Sequence, residues 1–238
     1  MSQLQDSHPV GEPVSGWQGA AWPERRRLGG HFCRLEPLDA AVHGEALWQA
    51  TTLPGGEHNW TYLPYGPFAD EATYRDWLSE MAEQRDPQFF AIVELAGGQA
   101  VGVASFLRIA PAAGSIEVGH IHFSPRLQRS PTASEAMFLM MREAFALGYR
   151  RYEWKCDALN APSRRAAERL GFRFEGVFRQ ATVVKGRNRD TAWFSVIDGE
   201  WPALEAAFER WLAPDNFDSS GRQRESLSLL TRQALAGR

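Results

Sequence analysis

Cysteine is scarce: Cys33 and Cys156 are the only two in 238 residues. Two thiols so far apart build no disulfide framework and suit a reducing cytosol. No apolar run approaches the ~20 residues that span a bilayer, and the N-terminus lacks a basic-then-apolar targeting signal. Excess charge is missing as well. The net charge is -3, without the basic stripe of a nucleic-acid binder, and Arg25-Arg26-Arg27 is too short and local to be more than a solvated arm. There is no internal repeat. These absences predict a soluble cytoplasmic protein without nucleic-acid or membrane partners.

What is present is an ordinary globular composition, 44% hydrophobic and 23% charged, on a chain long enough for one large domain or two small ones. Nine Trp and 14 Phe predict large aromatic walls. Residues 1–30, rich in Gly, Pro, Ser and Gln, read as an N-terminal arm with Trp17 and Trp22 as anchors. Residues 31–212 carry the regular patterning of one domain, and 213–238 read as a polar linker with a helix over 222–236.

Within the domain, HFCRLEPL is a strand and Asp39 caps a helix running to about Ala50. Asp70 caps the next, where Tyr74, Trp77, Leu78 and Met81 recur at helical spacing. Strands over 88–95 and 99–109 flank the turn Ala96-Gly97-Gly98. A strand over 115–123 precedes a helix from Pro131 to Leu147, whose Met137, Met140, Met141, Ala144 and Phe145 form a core stripe. The strand RRYEWKCD follows, then a helix from near Ser163 to the Gly171 cap. Strands near 172–184 and 191–198 are separated by the basic turn Lys185–Asp190, and Trp201, Leu204, Phe208, Trp211 and Leu212 mark another helix. Strands interleaved with helices give an α/β (α+β) class with a mixed sheet.

Two helix starts, at Ser130 and Asn160, each follow a strand and lie about thirty residues apart, the scale of a crossover between parallel strands. First-turn amides without intrahelical acceptors, together with the helix dipole, make each start an anion cradle. Ser130-Pro131 is a good N-cap and N1 pair, and Thr132-x-x-Glu135 has the capping-box pattern. Arg126 and Arg129 beside the first start suit a diphosphate better than a neutral ligand.

With these two motifs the chain resembles the GNAT superfamily of acyl-CoA-dependent N-acetyltransferases. The pyrophosphate loop of that family stands here as Gln128-Arg129-Ser130-Pro131-Thr132-Ala133. Its second signature stands as Asn160-Ala161-Pro162-Ser163 through Leu170-Gly171-Phe172, and Phe174-Glu175-Gly176 continues the pattern of ribosomal-protein N-terminal acetyltransferases. The resemblance covers about residues 31–200. It implies a mostly antiparallel twisted sheet of about seven strands, splayed in the middle, with helices on both faces. It implies acetyl-CoA as co-substrate, no metal, and an amine acceptor, a peptide or protein N-terminus being favoured over a small amine. A monomer or homodimer is expected.

For individual residues the resemblance implies that Gln128, Arg129, Ser130, Thr132 and Ala133 hold the diphosphate. It implies that Asn160 bonds the pantetheine arm, and that Ser163 lies near the thioester sulfur, where it could protonate the leaving thiolate. Two positions depart from the family. Pro131 replaces the middle glycine and removes an amide donor. Ala167 stands where many relatives have an acidic tyrosine. The resemblance implies that Glu117, on the strand before the cradle, is the general base, and the chemistry needs one because an ammonium must lose a proton to attack a thioester. On strict alternation it shares a face with Gly119, Ile121 and Phe123, and apolar company would raise its pKa. A salt-bridged sheet glutamate is the competing reading.

His120 and His122 are expected on the opposite face, with His120 as the reserve base. An H-x-H pair without a third ligand nearby is a weak metal site. Cys156 reads as buried filler. Trp60, Tyr62 and Tyr65 sit in an aromatic loop, 52–69, expected either to wall the acceptor site or to form a satellite core, and Arg187 and Arg189 either gate that cleft or are solvated. The alternative to an enzyme is a non-catalytic acyl-CoA-binding or protein-interaction module, which Pro131 and Ala167 favour.

Overall fold

The computed structural model describes residues 8–236. Residues 1–7 of the expected arm and 237–238 of the expected tail lie outside these. The strands are β1 (Leu28–Gly29), β2 (Cys33–Pro37), β3 (Gln88–Glu94), β4 (Ala100–Ala110), β5 (Ser115–Phe123), β6 (Arg151–Asp157), β7 (Arg173–Val184) and β8 (Arg187–Ile197). They form a single eight-stranded sheet in the order β1-β2-β3-β4-β5-β6-β8-β7. Strands β5 and β6 pair in parallel and every other neighbouring pair is antiparallel. The sequence expectation of about seven strands falls short because Leu28 and Gly29 pair with Leu35 and Arg34.

The helices are α1 (Ala40–Thr51), α2 (Glu71–Glu83), α3 (Pro131–Ala146), α4 (Ala161–Arg169), α5 (Trp201–Leu212) and α6 (Leu227–Leu235). None is long and apolar enough to cross a membrane. They cover both faces of the sheet, and β3 shows why. Its Phe89, Ala91 and Val93 join Leu47, Trp77 and Leu78 of α1 and α2, while Phe90 and Ile92 join the methionines of α3 and Leu204 and Phe208 of α5. A strand buried on both sides needs no polar alternation, so it reads as a continuous apolar run.

Three boundaries differ from the sequence reading. The expected basic turn over 185–190 shrinks to Lys185-Gly186, both at positive φ (50° and 73°), and Val184 pairs directly with Arg187. Two left-handed residues match the twist of a two-residue hairpin, so the remaining charges belong to strand. Helix α4 begins at Ala161 because Asn160 caps it, and α6 begins at Leu227 because Ser226 does. Leu227 and Leu230 bring α6 into the larger core.

Glu135 corrects the capping-box expectation. Ser130, not Thr132, caps α3 through the amide of Ala133. The Glu135 carboxylate instead accepts the N–H groups of His31, Phe32 and Cys33 at 2.6, 2.7 and 2.8 Å, fastening α3 to the turn between β1 and β2. Gly30 permits this approach, since a Cβ there would lie 2.4 Å from the carboxyl group.

Candidate active site

The parallel pairing of β5 with β6 runs from Ser115/Arg151 to Val118/Trp154 and then stops. Beyond it, β5 pairs with β4 alone and β6 with β8 alone, so the two strands present open edges to one another. A bulge lies where they part. Val103 faces His122 and Ser105 faces Gly119, so two steps on β4 span three on β5. His120 absorbs the surplus at φ 50°.

That bulge overturns the alternation read from the sequence. Ile116 and Val118 point into the α3/α5 core, and Glu117 into the face carrying α1 and α2. Past the bulge the phase has slipped by one, so Ile121 and Phe123 pack on the α3/α5 side. His120 and His122 therefore share Glu117's face. Bulges commonly re-aim side chains in this way.

The aromatic loop receives both imidazoles. His122 stacks on Trp60 with centroids 4.0 Å apart. His120 lies parallel to Tyr65, whose hydroxyl is 3.0 Å from Nδ1. Burial lowers the pKa of His122 to about 4. Burial, then the charges of Arg108 and Arg189, lower that of His120 to about 4 as well, so both rings are neutral at neutral pH. Burial pushes the Tyr65 phenol upward, which keeps it protonated. Among the described residues no group of three or more His, Cys, Asp or Glu could hold a metal ion.

Glu117 is not the lone carboxylate that the sequence suggested. Arg108 of β4 lies 2.7 Å from Oε1 and Lys155 of β6 2.8 Å from Oε2. Burial raises its pKa against the opposing pull of these cations. Lys155 also reaches Glu153 at 2.7 Å and lies 3.8 Å above the Trp193 ring. Charge thus runs across three strands, from Arg108 through Glu117 and Lys155 to Glu153.

The two helix starts border the gap. In the β5–α3 turn the N–H groups of Arg129, Ser130 and Thr132 have no partner among the described residues, and Arg129 is left-handed at φ 58°. Successive free amides around a left-handed residue make an anion nest. On the far lip, Asn160 Oδ1 caps the amide of Ser163, and Ser163 Oγ accepts from Trp154 Nε1 at 3.0 Å. The loop before α2 bridges both lips. Asn59 donates to the Phe123 carbonyl and accepts from Gln128 Nε2, while the Tyr62 hydroxyl donates to the Leu159 carbonyl. Lys185, from the β7–β8 turn, donates to the Trp60 carbonyl.

Residues 34–173 match the acetyltransferase (GNAT) domain family. The chain belongs to the GNAT acetyltransferase family. It is 50% identical to a GCN5-related N-acetyltransferase from Brucella melitensis, with 92% of this chain and 100% of that one covered and a TM-score of 0.90. It is 26% identical to the uncharacterized N-acetyltransferase p20 of Bacillus licheniformis over 59% of this chain and 80% of the other. It shares its fold with RimL, a ribosomal L7/L12 alpha-N-protein acetyltransferase, at 21% identity, covering 72% and 94% of the two chains with a TM-score of 0.62.

Acetyl-CoA is the acetyl donor of GNAT proteins, and the residues present suit it. The three free amides fit a diphosphate, and the open edges of β5 and β6 offer unpaired backbone groups to the amide-containing pantetheine arm. Pro131 supplies no amide, so the GNAT cradle here starts one donor short. Gln128 turns back to Asn59, and Ala133 offers no amide because Ser130 holds it. Ala167 is fully buried on the inner side of α4, and burial raises the Cys156 thiol away from a reactive thiolate.

Sequence reasoning missed Arg108, Lys155 and Asn59. A single arginine late in the apolar run AVGVASFLRIA, and a lysine in a chain with only two, were the available signals.

Proposed function

We propose that this GNAT domain is an acetyl-CoA-dependent N-acetyltransferase of primary amines that works by direct attack, with His120 as proton acceptor. The observation that carries the reading is the bulge that sets His120 beside the gap between β5 and β6. Acetyl-CoA supplies the electrophilic thioester carbonyl. An unpaired N–H on the β5 edge stabilises the oxyanion that forms there.

His120 replaces Glu117 as the base because both Glu117 oxygens already face cations. In the tautomer whose Nδ1–H is donated to Tyr65, Nε2 is free to take a proton. The amine attacks in its free form, which the neighbouring cations favour by opposing the ammonium. Attack makes the nitrogen of the adduct strongly acidic, so a neutral imidazole of low basicity suffices. As C–S breaks, the imidazolium passes that proton to the leaving thiolate. Ser163, turned toward Trp154, positions the second helix start instead.

A peptide α-amine and a small amine present the same nucleophile. The fold shared with RimL supports the first, and the charge of the acceptor face supports the second. Thiol release with acetyl-CoA and a panel of amines and short peptides is the direct test, with calorimetry for acetyl-CoA. Saturable binding with turnover of at least one amine is expected. Binding without turnover across the panel would favour a non-catalytic acyl-CoA module, and no binding at millimolar ligand would end the reading.

A further inference from the structure

The acceptor face holds more hydrogen-bond donors than the protein can satisfy. On β8, Arg189 and Trp193 stand four positions apart and so point to one side of the sheet. Trp193 also lies opposite Lys155, placing both on the side occupied by Glu117. Arg189 Nε and Trp193 Nε1 are buried, and neither has a hydrogen-bond partner. The Arg189 side chain makes no ion pair among the described residues. Arg108 is engaged by Glu117 at one nitrogen, while its side chain stays 61% exposed.

The carboxylates around this face are already engaged. Glu117 and Glu153 both face Lys155, and Asp86, whose charge also reaches His120, accepts the amides of Arg108 and Ile109. The position left over is that of Arg189, close enough to His120 for its charge to act on the imidazole. Buried N–H groups without acceptors are costly, and a guanidinium best meets that need with a carboxylate, whose two oxygens match its fork.

We infer that the acceptor carries a carboxylate close to its amino group, as a free α-amino acid does, and that Arg189 binds this carboxylate while His120 faces the nitrogen. The inference rests on the N-acetyltransferase reading and narrows its acceptor. A peptide N-terminus has an amide in place of that carboxylate, and a polyamine has no anion at all. Both would leave Arg189 unpaired and bring positive charge toward cations. The stacked Phe178 and Trp193 rings, 4.4 Å apart, form an apolar wall on the same face for the acceptor's side chain.

The test is thiol release from acetyl-CoA with leucine, methionine, phenylalanine and glutamate, each as free acid, C-terminal amide and matching decarboxylated amine. The free acid of at least one set is expected to exceed its amide and amine in kcat/KM by about tenfold or more, the scale of a charge-assisted contact. Arg189→Gln should erase that preference by raising KM for the acid far more than for the decarboxylated amine, and Arg189→Lys should retain part of it. Equal or better use of amides and amines overturns the inference while leaving an N-acetyltransferase. Failure to turn over any free acid overturns it too, and acetyl-CoA calorimetry on the same preparation then decides whether the broader reading falls as well.

Discussion

Lys155 Nζ lies 2.8 Å from Oε2 of Glu117 and 2.7 Å from Oε2 of Glu153, with only 8% of the lysine side chain exposed. Removing one member of a buried ion pair strands the other, which costs about 3–5 kcal/mol. Lys155→Met is expected to lose stability on that scale in urea unfolding. Adding Glu117→Gln should restore part of it, so the double variant is more stable than the sum of the singles predicts.

His120→Asn keeps a residue that tolerates positive φ and removes the imidazole. Thiol-release kcat should fall by about 10²–10⁴-fold, the usual weight of a general base, with acetyl-CoA affinity unchanged by calorimetry. Glu117→Gln should cost less if, as proposed, that carboxylate organises Arg108 and Lys155 and the proton goes to His120. The opposite order of effects would return the base to Glu117.

Acid stability should fall in two stages. His120 and His122 are held near 4 in the fold against 6.5 for free imidazole, so the unfolded chain takes up protons first. Stability therefore drops as pH falls from about 6.5 to about 4 and the loss then levels off. Glu36 behaves as a depressed carboxylate. Its burial works upward, but Arg34, His43 and Arg27 hold it at about 2 against 4.5. Its contribution is present above about 4.5 and is lost as pH falls toward about 2. Thermal melts should show His122→Phe flattening the first stage and Glu36→Gln the second.

Pro131→Ala returns an amide to the start of α3. Acetyl-CoA should bind about 3- to 10-fold more tightly by calorimetry, as one further N–H to a diphosphate would give. A slight loss of stability should accompany it, since proline also restricts the unfolded chain. Weaker binding would mean that the ring itself, not the missing hydrogen, shapes the cradle.

The local signals were legible and the cross-strand ones were not. Asp39, Asp70, Ser130 and Asn160 announce their helices because capping needs only a short polar side chain at a fixed offset. The crossover from β5 through α3 to β6 could be read because its caps, core stripe and length agree. The bulge could not, since nothing about His120 in isolation separates a pleated residue from a left-handed one. Missing it reversed the faces of both histidines and hid their meeting with Trp60 and Tyr65. The partners of Glu117 were equally hidden, because Arg108 and Lys155 reach it only through sheet register.

His120 is, in ladder terms, a supernumerary residue: Ala104 of β4 has both it and Ile121 to answer. Excising that one codon would remove this irregularity, with Ile121 opposite Ala104 and with Ile121, His122 and Phe123 facing as they do now. On the proposed mechanism, the deletion leaves the scaffold its register and takes away its proton acceptor.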